Sequence, residues 1–200
     1  MSRLPRNQIL FDGCYAHIMS RSFDFKFIFQ APEDFNHFKE LLQTAKKEFR
    51  FQIHHYCLMN THFHLAVSIS QLHLFAKAFQ RLKSQYTKWF NKKEKRTGPL
   101  WRERFKSLLI EDESYLYACG LYIEANPVKA GIVEMPEEWP YSSARYYLLN
   151  EADPLIDSYD SCQLPNEVDL NNSTFFTKGK VIGSELCKLQ VEQNAFVSVP

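Results

Sequence analysis

Two histidines, His62 and His64, flank one bulky apolar residue, Phe63, within the stretch CLMNTHFHLAVS at residues 57–68. The surrounding run, residues 51–69, is rich in aromatic and β-branched residues and reads as strand. Residues two apart in a strand point to the same face, so both imidazoles project together while Phe63 turns into the core. Two imidazoles side by side can aim two nitrogen ligands at one metal ion. The alternative is a pair of polar residues on the wet face of a half-buried strand, since His-x-His alone is a weak motif. A second pair, Tyr122 and Asn126, lies four residues apart in a predicted helix and so shares a face. A phenol hydroxyl and an amide carbonyl projecting together could present a nucleophile beside a third ligand. If that face meets the two histidines, a hard ion such as Mg²⁺ or Mn²⁺ gains three protein ligands and keeps open positions for phosphate oxygens. Such an ion would stabilise charge on a phosphodiester as the tyrosine attacks. Isolated Tyr-x-x-x-Asn pairs are more often packing than catalysis. Tyr115, seven residues earlier on nearly the same face, is a competing nucleophile or a packing residue.

These groups need elements to hold them. Residues 14–19 read as a strand and 20–24 as a turn carrying Arg21. Residues 25–29 form a short apolar run expected to be a second strand or a strand edge. Pro32 suits the first turn of a helix, and Phe35, Phe38, Leu41, Leu42, Ala45 and Phe49 keep helical spacing along one face. The strand pair around the histidines follows, with residues 59–61 as its turn. Residues 72–91 form a second amphipathic helix with the apolar stripe Leu72, Phe75, Phe79, Leu82, Tyr86 and Trp89. Its other face holds Lys77, Arg81, Lys83, Lys88 and Lys92. Gly98-Pro99 breaks the chain. Residues 100–110 read as a strand or hairpin with Arg102, Arg104 and Lys106 at alternate positions, a row able to track a phosphate backbone. Asp112 is placed to cap a third helix. That helix should stop by Asn126, because Pro127 disfavours helical geometry in the residue before it. Residues 139–149 are aromatic and expected to pack back on the domain. The order of elements predicts an α+β fold, an antiparallel central sheet carrying helices, with a ferredoxin-like arrangement allowed.

Composition limits the options further. Two hundred residues, 45% hydrophobic and 15% aromatic with 17 Phe and 10 Tyr, suit one packed domain or a surface that stacks on flat ligands. No apolar run reaches the roughly 18 residues of a membrane span, and the start MSRLPRNQILFDG lacks a secretory core. Five cysteines without paired spacing point to reduced thiols and a cytoplasmic protein. A net charge of +1 hides an asymmetry: residues 77–106 hold eleven Lys and Arg against two Glu, while residues 151–200 hold eight acids against three lysines. A concentrated basic block suggests a polyanion partner, the alternative being a solvated helix face. The expected division is a domain over residues 1–150 and an acidic extension over 151–200, with a short helix near 184–193.

The stretches AHIMSRS (16–22), CLMNTHFHL (57–65), PLWRERF (99–105), YIEANPVKAGIV (122–133) and WPYSSA (139–144) resemble, in order, the REP-associated tyrosine transposases, a branch of the single-tyrosine HUH transposases. The resemblance covers roughly residues 14–149. It implies a ferredoxin-like HUH nuclease domain in which His62 and His64 are metal ligands, Tyr122 the nucleophile and Asn126 the third ligand. It further implies a Mg²⁺ or Mn²⁺ cofactor and cleavage and rejoining of single-stranded DNA at palindromic hairpins through a 5′-phosphotyrosine. The competing function is a domesticated protein that grips hairpins without cutting them. Charge and spacing, rather than the resemblance, nominate Arg21, Lys83, Arg102, Arg104 and Lys106 for DNA contact. The expected partner is single-stranded or hairpin DNA, without a membrane, in a nucleoid-associated monomer, a homodimer being the alternative. Two departures stand out: Asn60-Thr61 precedes His62 where relatives often have Pro-Asn, and Ser22 follows Arg21 where they often have Gly.

Overall fold

The computed structural model describes residues 10–111 and 113–159. Four strands carry the architecture: β1 (Cys14–Arg21), β2 (Gln52–Met59), β3 (His62–Ile69) and β4 (Lys106–Ile110). Helix α1 (Pro32–Phe49) joins β1 to β2 and helix α2 (Leu72–Lys93) joins β3 to β4, followed by α3 (Glu113–Glu124), α4 (Asn126–Lys129) and α5 (Ala144–Leu149). The sheet order is β2-β3-β1-β4 with every neighbouring pair antiparallel. Each long crossover therefore skips one strand position, the split βαβ arrangement of ferredoxin-like folds.

Alternation along the strands sorts side chains onto two faces. Ile18, Leu58, Phe63, Leu65 and Val67 are fully buried in one cluster with Phe35, Phe38 and Leu42 of α1 and Phe75, Phe79, Leu82 and Tyr86 of α2. Each such side chain contributes about 1.5–3 kcal/mol on burial. The opposite face carries Cys57, Met59 and Ala66, and α3 covers them with Leu116, Cys119 and Ile123. His62 and His64 belong to that second face, so the helix that carries Tyr122 packs over the strand that carries the histidines.

Local chemistry explains the element ends. The buried Asp34 carboxylate accepts from the backbone of Gln30 and Ala31, both at 2.8 Å, and so caps α1. Lys93 of α2 pairs with the same carboxylate, tying the two helices together. Arg50, at φ 54°, takes the left-handed conformation that ends α1. The exposed backbone of edge strand β2 is covered from two directions. The Leu58 N–H donates to the Tyr141 carbonyl at 2.9 Å, Ser143 N–H donates to the Tyr56 carbonyl at 2.9 Å, and Asp157 N–H donates to the Ile53 carbonyl at 2.7 Å. The WPYSSA stretch is thus a clasp on an edge that would otherwise be open.

Four sequence expectations are corrected. Residues 25–29 are not a strand: Phe23–Phe25 form a 3₁₀ turn, and Phe23, Phe25 and Phe27 stand out into solvent. Strand β4 begins only at Lys106, because Arg102 N–H donates to the Arg21 carbonyl and the chain bends through Arg102, Glu103 and Arg104 before Phe105 turns into the core. The alternating row of Arg102, Arg104 and Lys106 on one strand therefore does not exist. Lys83 is not on an exposed helix face but 8% exposed, its ammonium donating to Ser20 Oγ and the Glu103 carbonyl, both at 2.7 Å. The third helix stops before Asn126 as expected, at Glu124, but Asn126 does not share it with Tyr122: it opens a separate short helix with Pro127 in its first turn.

The nine residues 151–159 lack regular secondary structure yet pack on the domain: Leu155 is buried, Asp153 accepts from Tyr56 and Lys39, and Asp157 pairs with Lys46. Asp112 and residues 160–200, including the helix expected near 184–193, lie outside the described residues. Among the described residues no helix is long and apolar enough to cross a membrane.

Candidate active site

The central strand β3 presents His62 and His64 two residues apart, with ring centroids 5.1 Å from each other. Burial holds both imidazoles in the neutral form that metal ligation needs: the His62 pKa falls to about 4, and His64 lies well below the ordinary value. For His64 the positive charge of neighbouring groups adds to burial. Each ring is also held by a partner at Nδ1. Thr61 Oγ1 lies 2.9 Å from His62 Nδ1. His17 Nε2 lies 2.9 Å from His64 Nδ1, one imidazole donating to the other.

No spacing in the sequence singles out His17. It sits on β1, on the same sheet face as Met19, which pairs directly with His64. Burial lowers its pKa to about 4, so it too is neutral at pH 7. It is the one imidazole inside AHIMSRS, but the cross-strand register that brings it to His64 exists only in the folded sheet.

Tyr122 arrives from the facing helix. Its ring centroid lies 6.5 Å from that of His64 and 6.1 Å from that of His17, edge-on to both. Burial raises its pKa, and the neighbouring Cys119 adds to the rise, so the phenol holds its proton at neutral pH. The Lys129 ammonium sits 3.8 Å from the ring centroid, a cation–π contact. Although part of the Lys129 side chain reaches solvent, the protein packed around its ammonium lowers the pKa to about 8.

Asn126 lies one turn beyond Tyr122 despite the helix break. Its Nδ2 donates to the Tyr122 carbonyl at 3.0 Å and the Ile123 carbonyl at 2.9 Å, which satisfies the end of α3 and reserves Oδ1 as an acceptor. Tyr115, the rival tyrosine, is half-buried against the α3–sheet cluster.

Beneath these groups an internal polar lock fixes α3. His55 Nδ1 lies 2.8 Å from Glu124 Oε1, with both side chains buried. Ser143 Oγ donates to the same carboxylate oxygen at 2.6 Å, and Tyr159 Oη lies 3.0 Å from His55 Nε2. Gly120 makes the approach possible: a Cβ at that position would lie 2.3 Å from the His55 ring. Glu124 and His55 thereby determine where Tyr122 and Asn126 stand.

The nominated cations divide. Arg21 pairs with His62 in the β1–β3 register, with its guanidinium 4.8 Å from the Phe25 ring centroid. Arg102 and Arg104 are exposed in the bend beside it. Lys106 is near Glu103 at 3.9 Å, and Lys83 is interior.

Among the described residues no group of three His, Cys, Asp or Glu side chains could hold a metal ion. A metal between His62 and His64 therefore needs a third donor of another type, and the Asn126 amide oxygen answers that description. Two neutral imidazoles plus an amide oxygen suit a divalent ion such as Mn²⁺ or Mg²⁺.

A four-stranded antiparallel sheet with two histidines on its central strand and a helix-borne tyrosine above them defines an α+β protein whose site lies between sheet and helix. Residues 11–126 match the family described as "Transposase IS200 like". A Haemophilus influenzae protein named as a REP-associated tyrosine transposase is 30% identical over 118 residues, covering 54% of this chain and 67% of that one. The solved structure of a REP-associated tyrosine transposase bound to a REP hairpin superposes with a TM-score of 0.64 at 18% identity, covering 80% of this chain and 93% of the other, and so shares the fold. The chain belongs to the IS200-like transposase family, in its REP-associated tyrosine transposase branch.

Proposed function

We propose that this protein cleaves and rejoins single-stranded DNA beside palindromic hairpin repeats, with Tyr122 as the nucleophile and His62, His64 and Asn126 as ligands of Mg²⁺ or Mn²⁺. The observation that carries the reading is the approach of the Tyr122 ring to His64 across the sheet–helix junction, 6.5 Å between ring centroids. The family supports a DNA-processing enzyme, and the hairpin bound by the structural neighbour supports the substrate class.

With Nδ1 of each ring engaged, coordination falls to Nε2, and His17 and Thr61 set the ring orientations. When bound, the ion would draw charge from the scissile phosphate. Tyr122 Oη attacks phosphorus, the bond to the 3′ oxygen breaks, and the phenolic proton is released as the departing oxygen is protonated to a 3′-hydroxyl. One phosphoester replaces another, so the 3′-hydroxyl can reverse the step without an external energy source. The Lys129 ammonium is positioned to offset negative charge developing on the phenol. Arg21, Arg102, Arg104 and Lys106 border the His62 end of the site and serve phosphate contact. The reaction class fits a DNA-associated protein in the cytoplasm.

Incubating a labelled single strand that contains a hairpin and its flanks with the protein and Mn²⁺, then running a denaturing gel, tests the reading. A retarded covalent band and a 3′-hydroxyl fragment are expected with the native protein, and neither with Tyr122→Phe. Salt-sensitive hairpin binding without any cleavage would overturn it in favour of a non-cutting binder.

A further inference from the structure

Three phenylalanines at alternate positions break the burial rule. Phe23, Phe25 and Phe27 are 50%, 51% and 60% exposed; among the described residues Phe11, at 59%, is exposed to the same degree, while most of the other phenylalanine rings lie in two cores. The backbone that displays them is strained: Asp24 and Phe25 hold φ of 57° and 51°, a region unusual for non-glycine residues and costly for a bulky one. The segment is anchored rather than loose. Ser22 N–H donates to the Thr61 carbonyl and Phe23 N–H to the Leu100 carbonyl, both at 2.8 Å, and Ile28 N–H donates to the Asn60 carbonyl at 2.8 Å. The rings are therefore fixed next to the β2–β3 turn, immediately before His62.

Cations surround them. The Arg21 guanidinium stacks on Phe25, and Lys26, Arg102 and Arg104 are exposed in the same neighbourhood, against Asp24 and Glu103. Flat apolar rings interleaved with cations match unpaired nucleotides, whose bases stack on aromatic faces while their phosphates meet the positive groups. A protein partner that sought only apolar area would not require the guanidinium on the ring.

We infer that Phe23, Phe25 and Phe27 form a stacking ridge for unpaired bases of the strand that enters the site. This rests on the reading of the protein as a single-strand transferase. It adds a specificity element: the ridge favours hairpins carrying a single-stranded flank over blunt ones.

Fluorescence anisotropy of the full chain with three labelled hairpins, blunt, 5′-flanked and 3′-flanked, tests it. The native protein should prefer one flanked probe. The triple variant Phe23→Leu, Phe25→Leu and Phe27→Leu keeps apolar surface but removes the rings, and should weaken that probe by about 10-fold or more with blunt-hairpin affinity unchanged. Phe25→Tyr should retain the preference, and thermal unfolding should show every variant folded. Equal affinity of native protein and triple variant for the flanked probe, or equal losses on all probes, overturns the ridge while leaving the transferase reading intact. Self-association that the triple variant abolishes would assign the ridge to a second copy of the chain and overturn it likewise. Failure of native protein to bind any hairpin at low salt overturns the transferase reading itself, and the ridge with it.

Discussion

Function at the level of single residues depends on protonation state and orientation. The three clustered histidines His17, His62 and His64 are neutral because burial opposes their charge. His17 titrates near pH 4 when folded, against about 6.5 in an unfolded chain. The unfolded state therefore binds more protons between those values. The stabilisation from His17 is fully present above pH 6.5 and is lost as pH falls towards 4, on the order of 3 kcal/mol in all. Denaturant unfolding at pH 7 and pH 4.5 should show that loss, and His17→Phe should flatten it. With His62 and His64 as the proposed metal ligands, His17 would act by orienting His64, and His17→Ala is expected to weaken Mn²⁺ binding about 10–100-fold by calorimetry while the fold survives. The shared face of His62 and His64 is legible in the sequence because residues two apart in a strand point the same way, whereas the choice of Tyr122 rests on the family resemblance. His17 is not legible there, because its partner lies 47 residues away across a strand register.

At the scale of elements, α3 is the part whose position matters most, and its anchor is a buried pair that no sequence motif announced. Glu124 and His55 are 69 residues apart, and Ser143 reaches the same carboxylate from the clasp over β2. Breaking a buried pair by removing one partner costs about 3–5 kcal/mol. Glu124→Ala should therefore lower the unfolding free energy by about that much and reduce strand cleavage more than hairpin binding. Gly120→Ala forces a methyl into the His55 ring and should cost about 1–3 kcal/mol, visible as a lowered Tm. The long helices and the histidine hairpin were readable from periodicity. The region 100–105 was not, because alternating cations mimic a strand while the backbone there pairs with residues 21–23 and bends. The stretch 25–29 differs for the opposite reason: it is a strand-like apolar run in which Phe25 and Phe27 point outward while Ile28 and Phe29 enter the core.

For the whole molecule, charge and packing divide the chain differently from composition. The basic block over 77–106 is partly consumed inside the fold: Lys83 is buried, Arg81 pairs with Glu48 and Lys93 with Asp34. Arg102 and Arg104 lie on the surface, so Arg102→Ala and Arg104→Ala should each reduce the salt slope of hairpin binding by about 1, whereas Lys83→Met should change stability instead. The folded body also runs past residue 150. Leu155→Ala is expected to cost about 2–5 kcal/mol by denaturant unfolding, since Leu155 is 1% exposed. Acidic composition hides that packing: Asp153 and Asp157 fall in the expected acidic extension, but Lys39 and Lys46 of α1 neutralise them.

The central claim is that Tyr122 becomes covalently bonded to DNA. Its most direct test is protease digestion of the protein after reaction with single-stranded hairpin DNA and Mn²⁺, nuclease trimming, and mass mapping of the modified peptide. The account predicts a nucleotide adduct on Tyr122 alone. An adduct on Tyr115, or unmodified tyrosines alongside cleaved DNA, would contradict it.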